Sequence, residues 1–297
     1  MKKPFNKKII LGFSIGDYNG IGPEILLKAF SNFNLFKKCV PVVFCEFEIL
    51  AYYKKLLKSK IVIKKVKNLK EDLNANCLNA YSYSNKKINI EPGKIKKSAG
   101  RYSIISLEES TNALINNQVH GIVTLPISKI NSQNKNFNFP GHTEYLMSKF
   151  NVKNNIMIMH SNLMTLGLIT GHIPLNKVNI NTIQKQSEDK IRIFTETLKH
   201  DLLKKNPKIA ILGINPHAGE NGLLGNEELE VITPLMNKLN RKERILYGPF
   251  PSDSFFGLKM FKEFDGVISW YHDQGLIGFK SFCFEKGVNL DRKSTRL

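Results

Sequence analysis

The sequence is poor in several things whose absence narrows what the chain can be. It has one tryptophan, four cysteines, and no apolar run near the ~20 residues a membrane-spanning helix needs. A membrane protein is therefore not expected. Cys39, Cys45, Cys77 and Cys283 lack paired spacing, which argues against a disulfide framework or a cysteine zinc site. They are expected to be small buried hydrophobes. The N-terminus is basic, but the apolar run Ile9 to Ile15 is short for a signal-peptide core and passes straight into a glycine-rich turn. It reads as a first strand, and the expected compartment is the cytoplasm. Acidic residues are few, 25 against 44 basic ones, giving a net charge of +19. The positives are mostly lysine, with no aromatic interleaving and no arginine-rich groove. Nucleic acid is not the expected partner, whereas an anionic small substrate suits the charge.

What is present is a globular composition, 42% hydrophobic and 23% charged, in 297 residues. Apolar runs bounded by Gly, Pro and Asn predict strands near 8–15, 40–45, 60–66, 121–125, 156–160, 163–169, 208–214, 245–247 and 267–270. Helical periodicity predicts helices near 23–33, 48–57, 98–117, 142–150, 180–203 and 227–239. In the first helix, Ile25, Leu26, Ala29, Phe30 and Phe33 are the expected core face. Strands alternating with helices predict an α/β protein. A β-rich middle predicts a second subdomain, with a cleft between the two.

The chemistry concentrates at strand ends. Trp270-Tyr271-His272-Asp273-Gln274-Gly275 follows the apolar run 266–269. In open α/β folds, ligands bind at the carboxyl ends of strands. His172, before Ile173-Pro174, and His217, in Asn215-Pro216-His217-Ala218-Gly219-Glu220, have the same character. Imidazoles suit a borderline divalent ion, and three protein ligands with open positions is a catalytic pattern. A single such His is more simply a hydrogen-bonded loop residue, and local spacing leaves both readings open. His120, His160 and His200 sit in ordinary strand or helix contexts. His142 and Thr143 open a helix, where Thr143 either caps it or helps hold a carboxylate or phosphate. Asp253, in Pro251-Ser252-Asp253-Ser254, either belongs to a helix start or supplies a carboxylate near a metal. Lys280 is a surface lysine or an anion clamp. Gly20-Ile21-Gly22 lacks the full dinucleotide-binding spacing, so the cofactor-binding residues are not identifiable.

Taken together, GDYNGIGPE (16–24), VTLPISK (123–129), FPGHTEYL (139–146), GHIPL (171–175), NPHAGENG (215–222), GPFPSDS (248–254) and YHDQGL (271–276) resemble the 4-hydroxythreonine-4-phosphate dehydrogenase family. The motifs stand in family order from about residue 8 to 290. The resemblance implies an isocitrate/isopropylmalate-dehydrogenase-like fold of two interleaved α/β subdomains. It implies a homodimer with its active site at the subunit interface, NAD as cofactor, and a divalent metal (Zn, Mg or Co). His172, His217 and His272 match the metal ligands. His142, Thr143, Lys280 and Asn289 match substrate contacts, Lys280 and Asp253 being catalytic candidates. The implied reaction is oxidation of 4-phosphooxy-L-threonine in pyridoxal phosphate biosynthesis. A related phosphorylated hydroxy acid is the alternative substrate, and an inactive metal- or phosphate-binding remnant the alternative role. After about residue 290 the family pattern stops, the polar run 291–297 departs from it, and a truncated C-terminal segment is expected.

Overall fold

A computed structural model describes residues 8–70, 72–83, 88–133, 137–139, 141–152 and 154–293. The chain forms two compact units, 1–146 and 147–297. Each sheet draws its strands from its own unit.

The first unit holds β1 (Ile9–Ser14), α1 (Gly22–Ser31), α2 (Leu35–Lys38), β2 (Cys39–Phe44), α3 (Phe47–Leu56), β3 (Ile63–Val66), β4 (Leu78–Tyr81), α4 (Lys97–Ile115), β5 (Gly121–Thr124) and α5 (Lys129–Ser132). Helix α6 (His142–Lys149) spans the boundary. The sheet order is β3-β4-β2-β1-β5, and every pairing is parallel. Parallel strands are covered on both faces, which is why β2 reads as a near-continuous apolar run. Val43 and Cys45 face one core, with Leu26, Leu27 and Phe30 of α1. Val42 and Phe44 face another, with Ala113 and Val119. The buried face of α1 differs from the expected one: Ile25 and Phe33 are 40% and 57% exposed. The apolar arc of this helix is wider than the face it buries: Leu26, Leu27 and Phe30 turn inward, while Ile25 and Ala29, at its margin, stay exposed.

The second unit contains β6 (Asn155–His160), β7 (Thr165–Leu168), α7 (Ile180–Glu196), β8 (Ile209–Leu212), α8 (Thr233–Leu239), β9 (Leu246–Phe250), α9 (Ser252–Gly257), β10 (Gly266–Ser269), α10 (His272–Cys283) and β11 (Val288–Lys293). The order is β11-β6-β7-β10-β8-β9. β6 is antiparallel to both neighbours, and the other pairings are parallel. Side chains alternate between faces. Ile209, Ile211 and Ile268 pack with Phe194 of α7, while Ala210, Leu212 and Val267 pack with Leu276 and Phe279 of α10. Each large apolar side chain so buried contributes roughly 1.5–3 kcal/mol.

Strand β9 runs on through Gly248-Pro249, where a stop at Tyr247 was expected. Proline is tolerated there because β9 is an edge strand. The last strand continues to Lys293, paired along its length with β6, so the expected change after Leu290 does not end it. The remainder of the expected tail, 294–297, lies outside the described residues. All four cysteines are buried and unpaired, as expected. Among the described residues no helix is long and apolar enough to cross a membrane.

Candidate active site

Four of the expected residues leave one edge of the second unit's sheet. Strands β7, β10, β8 and β9 are successive neighbours, all parallel. The register pairs Ser269 with Leu168, Ile268 with Ile211, and Phe250 with Leu212. His172, His272, His217 and Asp253 follow the carboxyl ends of these strands in that spatial order. Far apart in sequence, they are set side by side by strand register.

The β7 and β10 ends remain tied beyond the ladder. Ile169 N–H donates to the Ser269 carbonyl at 2.9 Å, and Thr170 N–H to that of Trp270 at 3.1 Å. The Thr170 hydroxyl donates to the same Trp270 carbonyl at 2.6 Å. Two chains held together this far deliver neighbouring imidazoles: the His172 and His272 rings lie 5.0 Å apart. Nδ1 of His272 lies 2.6 Å from Oδ1 of Asp273, a contact that leaves Nε2 for a ligand. His272, which the sequence gave only as a strand-end residue ahead of Gly275, opens α10. Gly275 lies inside that helix because a Cβ there would come within 2.3 Å of Ser269 Oγ.

Gln274 ties three strand ends together. Its Oε1 accepts from Trp270 N–H at 2.7 Å, and its Nε2 donates to the Gly213 carbonyl at 2.5 Å and to Ser252 Oγ at 2.8 Å. The Trp270 indole N–H donates to the Leu212 carbonyl at 2.5 Å. Lys190, on α7, donates to the Ile169 carbonyl at 2.6 Å, and burial pushes its pKa down.

His217 starts a turn of different character. Residues 217 to 221 all have positive φ, and only Gly219 among them is glycine. Left-handed backbone costs an L-residue roughly 1–2 kcal/mol. The buried carboxylate of Glu228 anchors the start of this turn. Its Oε1 accepts from the N–H groups of Ile214 and Asn215, at 2.7 and 2.8 Å. The sequence marked the strand end and the His but gave no local signal for Glu228, which lies well beyond the turn in the chain.

The donor set suits a borderline divalent ion: three imidazoles at adjacent strand ends, with an exposed carboxylate, Asp253, on the next. The structure brings His172 and His272 together. Among the described residues, no three His, Cys, Asp or Glu side chains converge closely enough to hold an ion as they stand. Lys280 is exposed on α10, about 12 Å along the helix from His272. Asn289, on β11, is level with Met159 and so with Leu166 inside β7, whereas His172 follows the end of that strand. Neither is gathered to the His pair.

In the first unit, His142 opens α6 with Thr143 beside it, while Pro140 of the same motif is outside the described residues. Nε2 of His142 is buried without a hydrogen-bond partner among the described residues, and burial holds the imidazole pKa below its ordinary value. A neutral ring with an unused nitrogen is suited to receive a substrate group.

Comparison with known proteins covers nearly the whole chain. The model of the family described as pyridoxal phosphate biosynthetic protein PdxA matches residues 37–292. A 4-hydroxythreonine-4-phosphate dehydrogenase of Bacteroides thetaiotaomicron is 36% identical over 283 residues, covering 95% of this chain and 78% of that protein. One from Aquifex aeolicus is 33% identical over 284 residues, covering 96% and 86%. The crystal structure of a 4-hydroxythreonine-4-phosphate dehydrogenase from Burkholderia phymatum superposes with a TM-score of 0.83 at 26% identity, covering 98% of this chain and 88% of that one. A terephthalate 1,2-cis-dihydrodiol dehydrogenase from Burkholderia xenovorans, 22% identical with a TM-score of 0.66 over 97% and 87% of the two chains, shares the fold.

Proposed function

The chain belongs to the PdxA family and has its isocitrate/isopropylmalate-dehydrogenase-like α/β fold, and from that premise we propose how its own residues serve the reaction. It is a 4-hydroxythreonine-4-phosphate dehydrogenase, an oxidoreductase of pyridoxal phosphate biosynthesis, and we propose the cytoplasm as its compartment. The observation that carries the reading is the family match over residues 37–292, which includes all three strand-end His. The substrate is 4-phosphooxy-L-threonine. Its oxidation at the 3-hydroxyl gives 2-amino-3-oxo-4-phosphooxybutanoate, a β-keto acid that loses CO₂ to give 3-amino-2-oxopropyl phosphate.

His172, His217 and His272 would hold a divalent ion (Zn, Mg or Co), His272 through Nε2 with Nδ1 turned to Asp273. When bound, the metal supplies Lewis acidity toward the substrate hydroxyl and NAD takes up the hydride. His142 and Thr143 orient the substrate's anionic groups, and His142 does so as a neutral imidazole. Asp253 follows the carboxyl end of the strand beside that of His217, which supports giving it a proton-holding role. Lys280 and Asn289 lie away from the His pair of their own protomer. We assign them to the site of a second copy, in a homodimer whose active site is shared.

The test is the appearance of NADH on mixing the protein with 4-phosphooxy-L-threonine, NAD and a divalent metal. Substrate-dependent NADH is expected, with His272→Ala lowering kcat/KM by at least 100-fold and weakening metal binding. NADH formation from a phosphorylated four-carbon sugar acid, but not from 4-phosphooxy-L-threonine, would reject the substrate. Unchanged metal affinity in His272→Ala would reject the three-His site.

A further inference from the structure

The His pair follows from strand register and the bonds that tie the β7 and β10 ends, but His217 needs a further device. It begins five consecutive residues with φ of 52°, 53°, 80°, 43° and 56°, a conformation that glycine and asparagine tolerate and that is unfavourable above all to Ala218 and Glu220. Such a run persists only where its surroundings over-determine it. Those surroundings centre on Glu228, which is 3% exposed. One carboxylate oxygen accepts from the N–H groups of Ile214 and Asn215, and the other from Asn215 Nδ2 at 2.8 Å. The Asn215 amide is held a second time, by Glu227 Oε2 at 2.7 Å. The same carboxylate fills the space between the two sides of the turn. A Cβ on Gly219 would come within 2.7 Å of Glu228 Oε2, and one on Gly213 within 2.8 Å of Ala218 Cα and 3.3 Å of Glu228 Oε1.

We infer that Glu228 is a positioning residue: its carboxylate folds the 214–222 turn and thereby sets where the His217 imidazole stands beside the His172–His272 pair. It acts through His217, without touching ion or substrate. This rests on the reading of His217 as a metal ligand. The chemistry calls for a carboxylate. Three N–H donors converge on it, and a carboxylate has only acceptors to offer. A glutamine keeping one oxygen on the two backbone N–H groups would turn its own NH₂ toward the Asn215 amide. Asn215 cannot flip to compensate without setting its oxygen against Glu227.

The experiment uses the full chain and Co²⁺ as the probe, with binding followed by visible absorption of the ion and hydrogen exchange followed across 214–222. Glu228→Gln is expected to weaken Co²⁺ binding roughly 10- to 100-fold, the range found when groups supporting metal ligands are removed. Exchange should quicken over 214–222 and remain unchanged over β7 and β10. In a His217→Ala background, Glu228→Gln should cause no further loss of affinity. An undiminished loss in that background, or no loss in the wild-type one, would overturn the proposal while leaving His217 a ligand. Unchanged affinity in His217→Ala alone would instead remove the ligand reading and this proposal with it. Should Glu228→Gln fail to fold, Asn215→Ala removes the Glu227 and Glu228 side-chain bonds alone, and the same comparison with His217→Ala decides.

Discussion

Nε2 of His142 is buried with no hydrogen-bond partner among the described residues, and that has a consequence in acid. Burial holds its pKa below the ordinary ~6.5. The unfolded chain therefore binds this proton more readily than the folded one. The ring's contribution to stability is full above about pH 6.5 and is lost as pH falls below that value, until the folded-state pKa is passed. Replacing it with a side chain that does not titrate removes this slope. Denaturant unfolding at about pH 7.5 and 5.5 should show wild type losing more stability than His142→Asn. The difference should be no more than about 1.4 kcal/mol per pH unit. Equal losses would mean that the ring is charged or solvated in the folded state.

At the scale of elements, helix α10 lies so close to β10 and β7 that Gly275 has no room for a side chain. A Cβ would come within 2.3 Å of Ser269 Oγ, 2.8 Å of Leu166 Cδ2 and 2.9 Å of Leu168 Cδ2. Gly275→Ala should push back the start of the helix that carries His272. The expected cost is about 1–3 kcal/mol in thermal unfolding, with weaker Co²⁺ binding. Gly257→Ala is the control, since nothing lies within 4 Å of its added Cβ and its φ is not positive. It should be neutral or stabilise by up to about 1 kcal/mol. Most elements were legible in the sequence, because apolar runs bounded by Gly, Pro and Asn are local signals. Gly275 was not, since one letter serves both a turn and a close packing contact. The strand ends bearing His172, His217 and His272 were legible too. That His172 and His272 become neighbours was not, because sheet order arises from pairings across the chain. Glu228 gave no signal, since two of its three donors are backbone N–H groups that every sequence has and the third, the Asn215 amide, is brought to it only by the fold.

At the scale of the whole molecule, the net charge of +19 creates a field that draws in an anionic phosphorylated substrate and weakens with salt. The two units have separate hydrophobic cores. Cooperative opening follows such cores, so each unit is expected to unfold on its own. The buried cysteines divide unevenly between them: Cys39, Cys45 and Cys77 belong to the first and Cys283 to the second. Burial also raises the thiol pKa of those three, so little reactive thiolate is available while the fold is closed. Alkylation in mild denaturant, read by intact mass, should therefore add labels in steps of three and one. Four labels arriving together would mean a single cooperative transition. The chain thus carries its own tally of which half has opened, written in whole alkyl groups and requiring no added dye.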